Sequence, residues 1–328
     1  MLLRRFHALA ALTMVAAALT AILQTTATAQ TYPSKPLRII VPFPPGGPTD
    51  MVARAVGQKL HERWGQPVLV ENRPGGSTII GVEMVVKSPP DGYTLLLGSN
   101  SLALNRYLIA KVPYDIERDI APVILVAKIS NALVVHPSVP VHDLRQFIAY
   151  AKANPGKLTY GSTGLGTATH LFAELFSNMT GVQMVHIPYK GTGPAVIDLI
   201  SGEINLMFDS LSTVIANAKA GKVRVIGLTN SKRSTSAPEM PTLHELGLTG
   251  YEATGWFGIA APAKVPAEII DRLNREIDSI IRQPDMAARL VQIGSDVVGG
   301  PPEDFRAFIQ SETQKWGKVI RDANIKPE

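Results

Sequence analysis

LTYGSTGLGTATHLFAELFSNM, residues 158–179, holds a strand, a glycine-rich turn and a helix in one unbroken run. LTYGS is short, apolar and ends on small residues, and ATHLFAELFSNM carries its apolar side chains at helical spacing. GSTGLGT between them is a strand-to-helix turn. Gly161 and Gly166 have the spacing of a phosphate-cradling loop, but Thr167 stands where that motif requires lysine. The turn instead offers backbone N–H groups, the unpaired donors of a helix's first turn and the hydroxyls of Ser162, Thr163 and Thr167. It reads as an anion cup built from uncharged groups. A helix terminus contributes about 0.3–1 kcal/mol to such a contact, and hydrogen bonds to a charged group about 1.5–3 kcal/mol each. Three or four of them, less the cost of association, give roughly micromolar binding, near −8 kcal/mol. That suits a carboxylate rather than a triphosphate.

The same grammar extends in both directions. Strand-like runs LRIIVPF, PVLVEN, YTLLLGS, VQMVHIPY, INLMFDS and VRVIGLT alternate with amphipathic segments such as TDMVARAVGQKLHERW, HDLRQFIAYAKAN and GPAVIDLIS. Alternation of this kind predicts an α/β fold with a mostly parallel sheet covered on both faces. Residues 231–250 are rich in Ser, Pro and Thr around a short predicted helix, and two long helices close the chain. Two apolar segments, 122–137 and 251–262, are long for one strand and have no turn signal in their middle. They read either as two crossings between lobes or as ordinary buried strands.

Other strand ends repeat the chemistry of the opening stretch. VPFPPGGPTD (41–50) leaves Gly46, Gly47 and Thr49 able to face a guest, because its prolines donate no N–H. ENRPGGSTIIG (71–81) brings two glycines with Ser77 and Thr78, and LLLGSNS (95–101) ends on Ser99. Asp209 in FDS is the one acid at these ends, ambiguous between ligand acceptor and helix cap; Asp50 reads as a cap. Ligands of open α/β sheets lie beyond the carboxyl ends of strands, so these ends suggest one cleft.

Composition narrows the setting. MLLRRFH, an apolar stretch over 8–23 and the small residues Ala27 and Ala29 read as a secretory signal, residues 1–29, cut near Ala29. The mature chain is expected to be a soluble exported protein, because nothing later is apolar for long enough to insert in a bilayer. The chain has no cysteine, which removes disulfides and thiolate chemistry, and its formal charge of +5 falls further when Arg4 and Arg5 leave with the signal. That balance leaves no footprint for nucleic acid. His136, His142, His170 and His186 are scattered without paired-ligand spacing, so no metal site and no cofactor are expected. His170, in the first turn of its helix, reads as packed or capping. Trp256 and Phe257 read as hinge or core, and Lys190 as a solvated loop residue.

VPFPPGGPTD, ENRPGG, GSTGLGTATHL, IPYKGTGPAVIDLISGEINLMFDS and the tail helices together resemble the periplasmic receptors of tripartite tricarboxylate transporters, the Bug-type solute-binding proteins. The resemblance covers essentially the whole mature chain. It implies a type II periplasmic-binding-protein fold, with two Rossmann-like lobes joined by two crossing segments. Lobe 1 would take residues 30–129 plus 254–328, and lobe 2 residues 130–253. It further implies a carboxylate gripped by Ser162, Gly166, Thr167 and Ala168, with Phe43 and Gly47 contributing backbone and Asp209 joining a network of water and ligand. Thr49 and Ser99 complete the expected ligand-binding set. The family's loop after the second strand runs through glycines to an asparagine, and Ser77 and Thr78 replace part of it here. The implied role is non-enzymatic: a monomer that captures a small carboxylate for transporter subunits or a sensor protein. The rival reading is a secreted serine hydrolase acting on small esters, since GSTG carries an exposed-looking serine; the G-x-S-x-G elbow is absent.

Overall fold

A computed structural model describes residues 32–327; the signal-peptide reading, residues 1–29, lies outside the described residues. The first half of the chain runs β1 (Leu37–Val41), α1 (Pro48–Trp64), β2 (Val68–Asn72), α2 (Ile79–Val86), β3 (Thr94–Gly98), α3 (Ser101–Leu108), α4 (Ile116–Asp119) and β4 (Ile120–Ile129). There follow β5 (Asn131–Val135), α5 (Leu144–Ala153), β6 (Leu158–Ser162), α6 (Ala168–Thr180), β7 (Met184–Pro188), α7 (Thr192–Ser201), β8 (Leu206–Ser210), α8 (Leu211–Lys219) and β9 (Arg224–Leu228). The chain then returns through β10 (Gly255–Pro262), α9 (Ala267–Ile281), α10 (Pro284–Gln292), β11 (Ser295–Val297) and α11 (Pro302–Asp322).

These strands build two sheets, one in the order β11-β4-β10-β3-β1-β2 and one in the order β7-β6-β8-β5-β9. The result is a two-lobed α/β fold within the compact unit Lys35–Glu328. β3, β4, β5 and β10 are buried almost throughout, as strands covered on both faces must be.

The expectation of mostly parallel sheets needs correcting. β1 pairs parallel with β2 and β3, and β6 parallel with β7 and β8. All pairings of β4, β5 and β10 are antiparallel. These strands belong to the two long apolar segments noted in the sequence. A strand that passes straight from one sheet into the next has no crossover helix to bring it back in the same direction. The segment at 122–137 resolves into β4 and β5 with only Ser130 between them. The predicted short helix in 231–250 is instead a set of turns, and α3, α10 and β11 have no counterpart in the sequence reading.

The crossings are firmly tied. Asn100 donates to Thr254 O (3.0 Å) and accepts from Trp256 N–H (3.1 Å), and Thr229 donates its hydroxyl to Ala253 O (2.6 Å). The C-terminal helix α11 spans the lobes. Its Phe305 and Ile309 join the core around Trp256, whereas Trp316, Val319 and Ile320 pack with Phe172, Phe176 and Leu104 around the second sheet. Gly317 makes that approach possible, since a Cβ there would sit 2.4 Å from the Tyr107 ring on α3.

Candidate ligand-binding cleft

The loops that leave β1, β2, β3, β6 and β8 at their carboxyl ends converge on a cavity of about 500 Å³. The first lobe contributes Phe43 and Thr49, Ser77 and Thr78, Ser99, and Asn105 with Leu108 from α3. From the second lobe come Leu165, Gly166 and Thr167 of the glycine turn, Ala168 and Thr169 at the start of α6, Phe172 and Ser210. The crossing strands close the floor with Ile129, Trp256 and Phe257, so these aromatics belong to the cleft as well as to the core. Most of the wall is apolar. Lys326 is the one charged residue among the described residues lining it.

Each polar loop is braced from behind. On the first, Asp50 accepts from Gly46 N–H (3.0 Å), Arg54 (2.9 Å) and Asn72 (3.0 Å), and Asn72 also donates to Phe43 O (3.1 Å). Burial opposes the charge on Asp50, yet the bonds from Arg54, Gly46 and Asn72 hold its carboxyl below the usual range. Asp50 thus braces the loop from inside the first turn of α1 and is not the cap it was expected to be, since Gly47 holds that position with no side-chain cap bond. On the second loop Ser77 and Thr78 take left-handed backbone angles, φ 51° and 80°, a conformation costly for a β-branched residue. Asn105 holds them there, donating to Ser77 O (2.8 Å) and Thr78 Oγ1 (3.2 Å).

The glycine turn is knitted internally, and this changes the reading of its donors. Thr163 N–H donates to Thr169 Oγ1 (2.9 Å), Gly164 N–H to Ser162 Oγ (3.2 Å), Gly166 N–H to His170 Nδ1 (3.0 Å) and Thr167 N–H to Gly164 O (3.3 Å). The Thr167 hydroxyl donates to Gly164 O (2.7 Å). The first intrahelical bond of α6 runs from Leu171 N–H to Thr167 O, which leaves the N–H groups of Ala168 and Thr169 at the cavity wall without helical partners.

Of the expected set, Phe43, Thr49, Ser99, Gly166, Thr167 and Ala168 line the cavity, and Gly47, Ser162 and Asp209 do not. Gly47 caps α1, its carbonyl accepting from Met51 N–H, and sits one residue before the lining Pro48. Ser162 is fully buried behind the turn. Asp209 is turned away by strand alternation: Ser210 faces the cavity, so its neighbour points to the other side of β8, in register with buried Ala132. Its Oδ1 accepts from Ser210 N–H (2.7 Å), while Oδ2 is buried without a partner among the described residues. Burial pushes its pKa up to about 6 against that one bond. Asn105, Leu165, Phe172 and Lys326 are lining residues the sequence reading did not name.

The rival serine hydrolase meets a real feature here, because Ser162 Oγ lies 2.6 Å from His186 Nε2. A nucleophile needs access and an oriented base. Ser162 has no exposed surface, also donates toward Gly164 O (3.0 Å), and no carboxylate pairs with His186 among the described residues. The pair is structural.

The chain matches the family described as "Tripartite tricarboxylate transporter family receptor" over residues 52–325. It belongs to that family. The receptor is 38% identical to BugT of Bordetella pertussis over 300 residues, covering 91% of this chain and 92% of BugT. Among solved structures it resembles R. palustris Rpa4515 with adipate (36% identity, TM-score 0.75, 90% of this chain and 100% of that one). It also resembles MatC from Rhodopseudomonas palustris with bound malate (29% identity, TM-score 0.68, 88% and 100%). The family is one of transporter receptors, and a solved structure described as the periplasmic binding protein BugD is 30% identical (TM-score 0.70, 90% of this chain and 100% of that one), so the chain stands among receptors rather than enzymes. Among its described residues no helix is long and apolar enough to cross a membrane, and no cluster of three or more His, Asp or Glu forms a metal site.

Proposed function

We propose that the receptor captures a small organic acid with an apolar body, seating a carboxylate against the start of α6 in the inter-lobe cavity. One observation carries this reading: Ala168 and Thr169, whose N–H groups lack helical partners, and the hydroxyl-bearing Ser99, Thr49 and Thr78 line one largely apolar cavity with no arginine among its described lining residues. Gly166 and Thr167 shape the turn, and Ser162 acts from behind it. Gly47 works through the backbone of its loop, and Asp209 acts on the second lobe's packing rather than on the ligand. Adipate and malate, bound by the structural relatives, are the natural first probes.

The lobes divide as residues 30–129 plus 254–328, and 130–253, with α11 as a strut across both. Closure over the ligand supplies affinity that opening gives back, which suits a carrier that must release its cargo. A bidentate guanidinium would hold a carboxylate more strongly than release allows. The receptor is exported as a monomer to the periplasm after cleavage near Ala29 and delivers to transporter subunits or a sensor protein. A thermal-shift screen with adipate, malate and benzoate tests the reading. A ligand at 100 times its Kd raises stability by about 2.7 kcal/mol; no shift from any acid in a broad carboxylate panel would refute it.

A further inference from the structure

Behind the glycine turn lies a group of buried side chains that the binding reading does not use. The rings of His170 and His186 stack with centroids 3.9 Å apart and planes 6° from parallel, and the Tyr160 ring lies beside both, 4.9 Å from His186 and 6.2 Å from His170. His170 Nδ1 accepts the Gly166 N–H at 3.0 Å. The ring proton therefore sits on Nε2, which faces Glu174 Oε1 at 3.8 Å, and the same oxygen accepts from the Tyr160 hydroxyl. His186 Nε2 meets Ser162 Oγ, which itself bonds both Gly164 O and Gly164 N–H. The two rings thus hold the turn at two points, Gly166 and Ser162–Gly164.

We propose that His170, supported by the stacked His186, is a positioning residue for ligand capture. As an uncharged acceptor it fixes Gly166 and so aims the Ala168 and Thr169 N–H groups into the cavity. The proposal rests on the carboxylate reading for its binding consequence and on geometry alone for the hydrogen bond. A protonated Nδ1 is a donor and has no lone pair for Gly166 N–H, so the turn is held only while the ring is neutral. Burial first, and then the facing His186, lower the pKa of His170 to about 4, and burial also lowers that of His186. The titratable groups facing the pair are Tyr160 on β6, His186 on β7 and Glu174 on α6. The device therefore keeps the turn set from neutral to mildly acid pH and releases it as pH falls toward 4.

Asparagine places an acceptor oxygen where Nδ1 lies and does not titrate, whereas leucine keeps bulk and removes the acceptor. The test reads the Gly166 amide by ¹⁵N–¹H spectroscopy of the full mature chain, together with adipate and benzoate binding by calorimetry. In the wild type the Gly166 proton resonance is downfield at neutral pH and moves upfield as pH approaches 4. His170→Asn keeps it downfield with no titration and restores acid binding to within about threefold. His170→Leu shifts it upfield at every pH and weakens binding by about tenfold, the loss of one hydrogen bond's worth of alignment. A Gly166 resonance indifferent to His170→Leu, or equal binding by the Asn and Leu variants, overturns the proposal. The amide measurement needs no ligand, so absence of acid binding by the wild type would count against the receptor reading alone.

Discussion

Replacing Asp209 with asparagine isolates the cost of a charge buried with only the Ser210 N–H to offset it. The folded pKa of about 6 stands against 3.8 for the free side chain, a gap worth about 3 kcal/mol. The sign follows from proton linkage. The folded state binds this proton more tightly than the unfolded state, so the group's contribution is fully present below pH 4. It is lost as pH rises to about 6 and stays lost above that. The amide of the Asp209→Asn variant cannot ionise and escapes the loss, though its nitrogen inherits a site without an acceptor, a cost of about 1–3 kcal/mol at any pH. The quantity to measure is therefore the stability difference between variant and wild type at pH 4 and again at pH 7, by urea unfolding followed by circular dichroism. Asp209→Asn should gain about 2–3 kcal/mol relative to wild type between those two values. A difference that stays constant with pH would refute the reasoning, because every packing and hydrogen-bond effect that does not titrate cancels in the comparison.

Three further substitutions probe the cleft. Gly166→Ala forces an L side chain into φ +69° with its Cβ 3.0 Å from Leu108; it should cost about 1–2 kcal/mol of stability and lower adipate affinity, both read by thermal shift. Asn105→Ala frees Ser77 and Thr78 from their brace, so it should destabilise by about 1–3 kcal/mol and weaken binding of every acid alike by calorimetry. Lys326→Ala should cost less than about tenfold in affinity, since a screened exposed charge contributes about 1 kcal/mol or less. A hundredfold loss on titration, followed through the fluorescence of cavity-lining Trp256, would show that a cation carries the grip.

The strand–turn–helix unit at 158–179 was legible because apolar periodicity and glycine placement are local properties. The shared cleft was legible because several strand ends carried the same small polar residues. What stayed hidden depends on distance in space. Asp209 looked like a cleft acid because sequence shows where a strand ends but not which side of it each residue takes. Ser162 and Gly166 looked like free donors because their partners, His186 and His170, approach only when β7 and α6 pack against β6. The direction of β4, β5 and β10 was missed for a similar reason: burial on both faces produces the same apolar run in parallel and antiparallel strands. Lys326 comes to the cavity only because Ile325 and the end of α11 pack on the second lobe's core.

The most direct measurement is a crystal structure of the receptor with the acid that shifts its melting temperature most. The account predicts a carboxylate oxygen within hydrogen-bond distance of the Ala168 and Thr169 N–H groups, with Ser162 Oγ still on His186 and Asp209 clear of the ligand. A carboxylate seated on Lys326 or on any arginine, away from the start of α6, would contradict it.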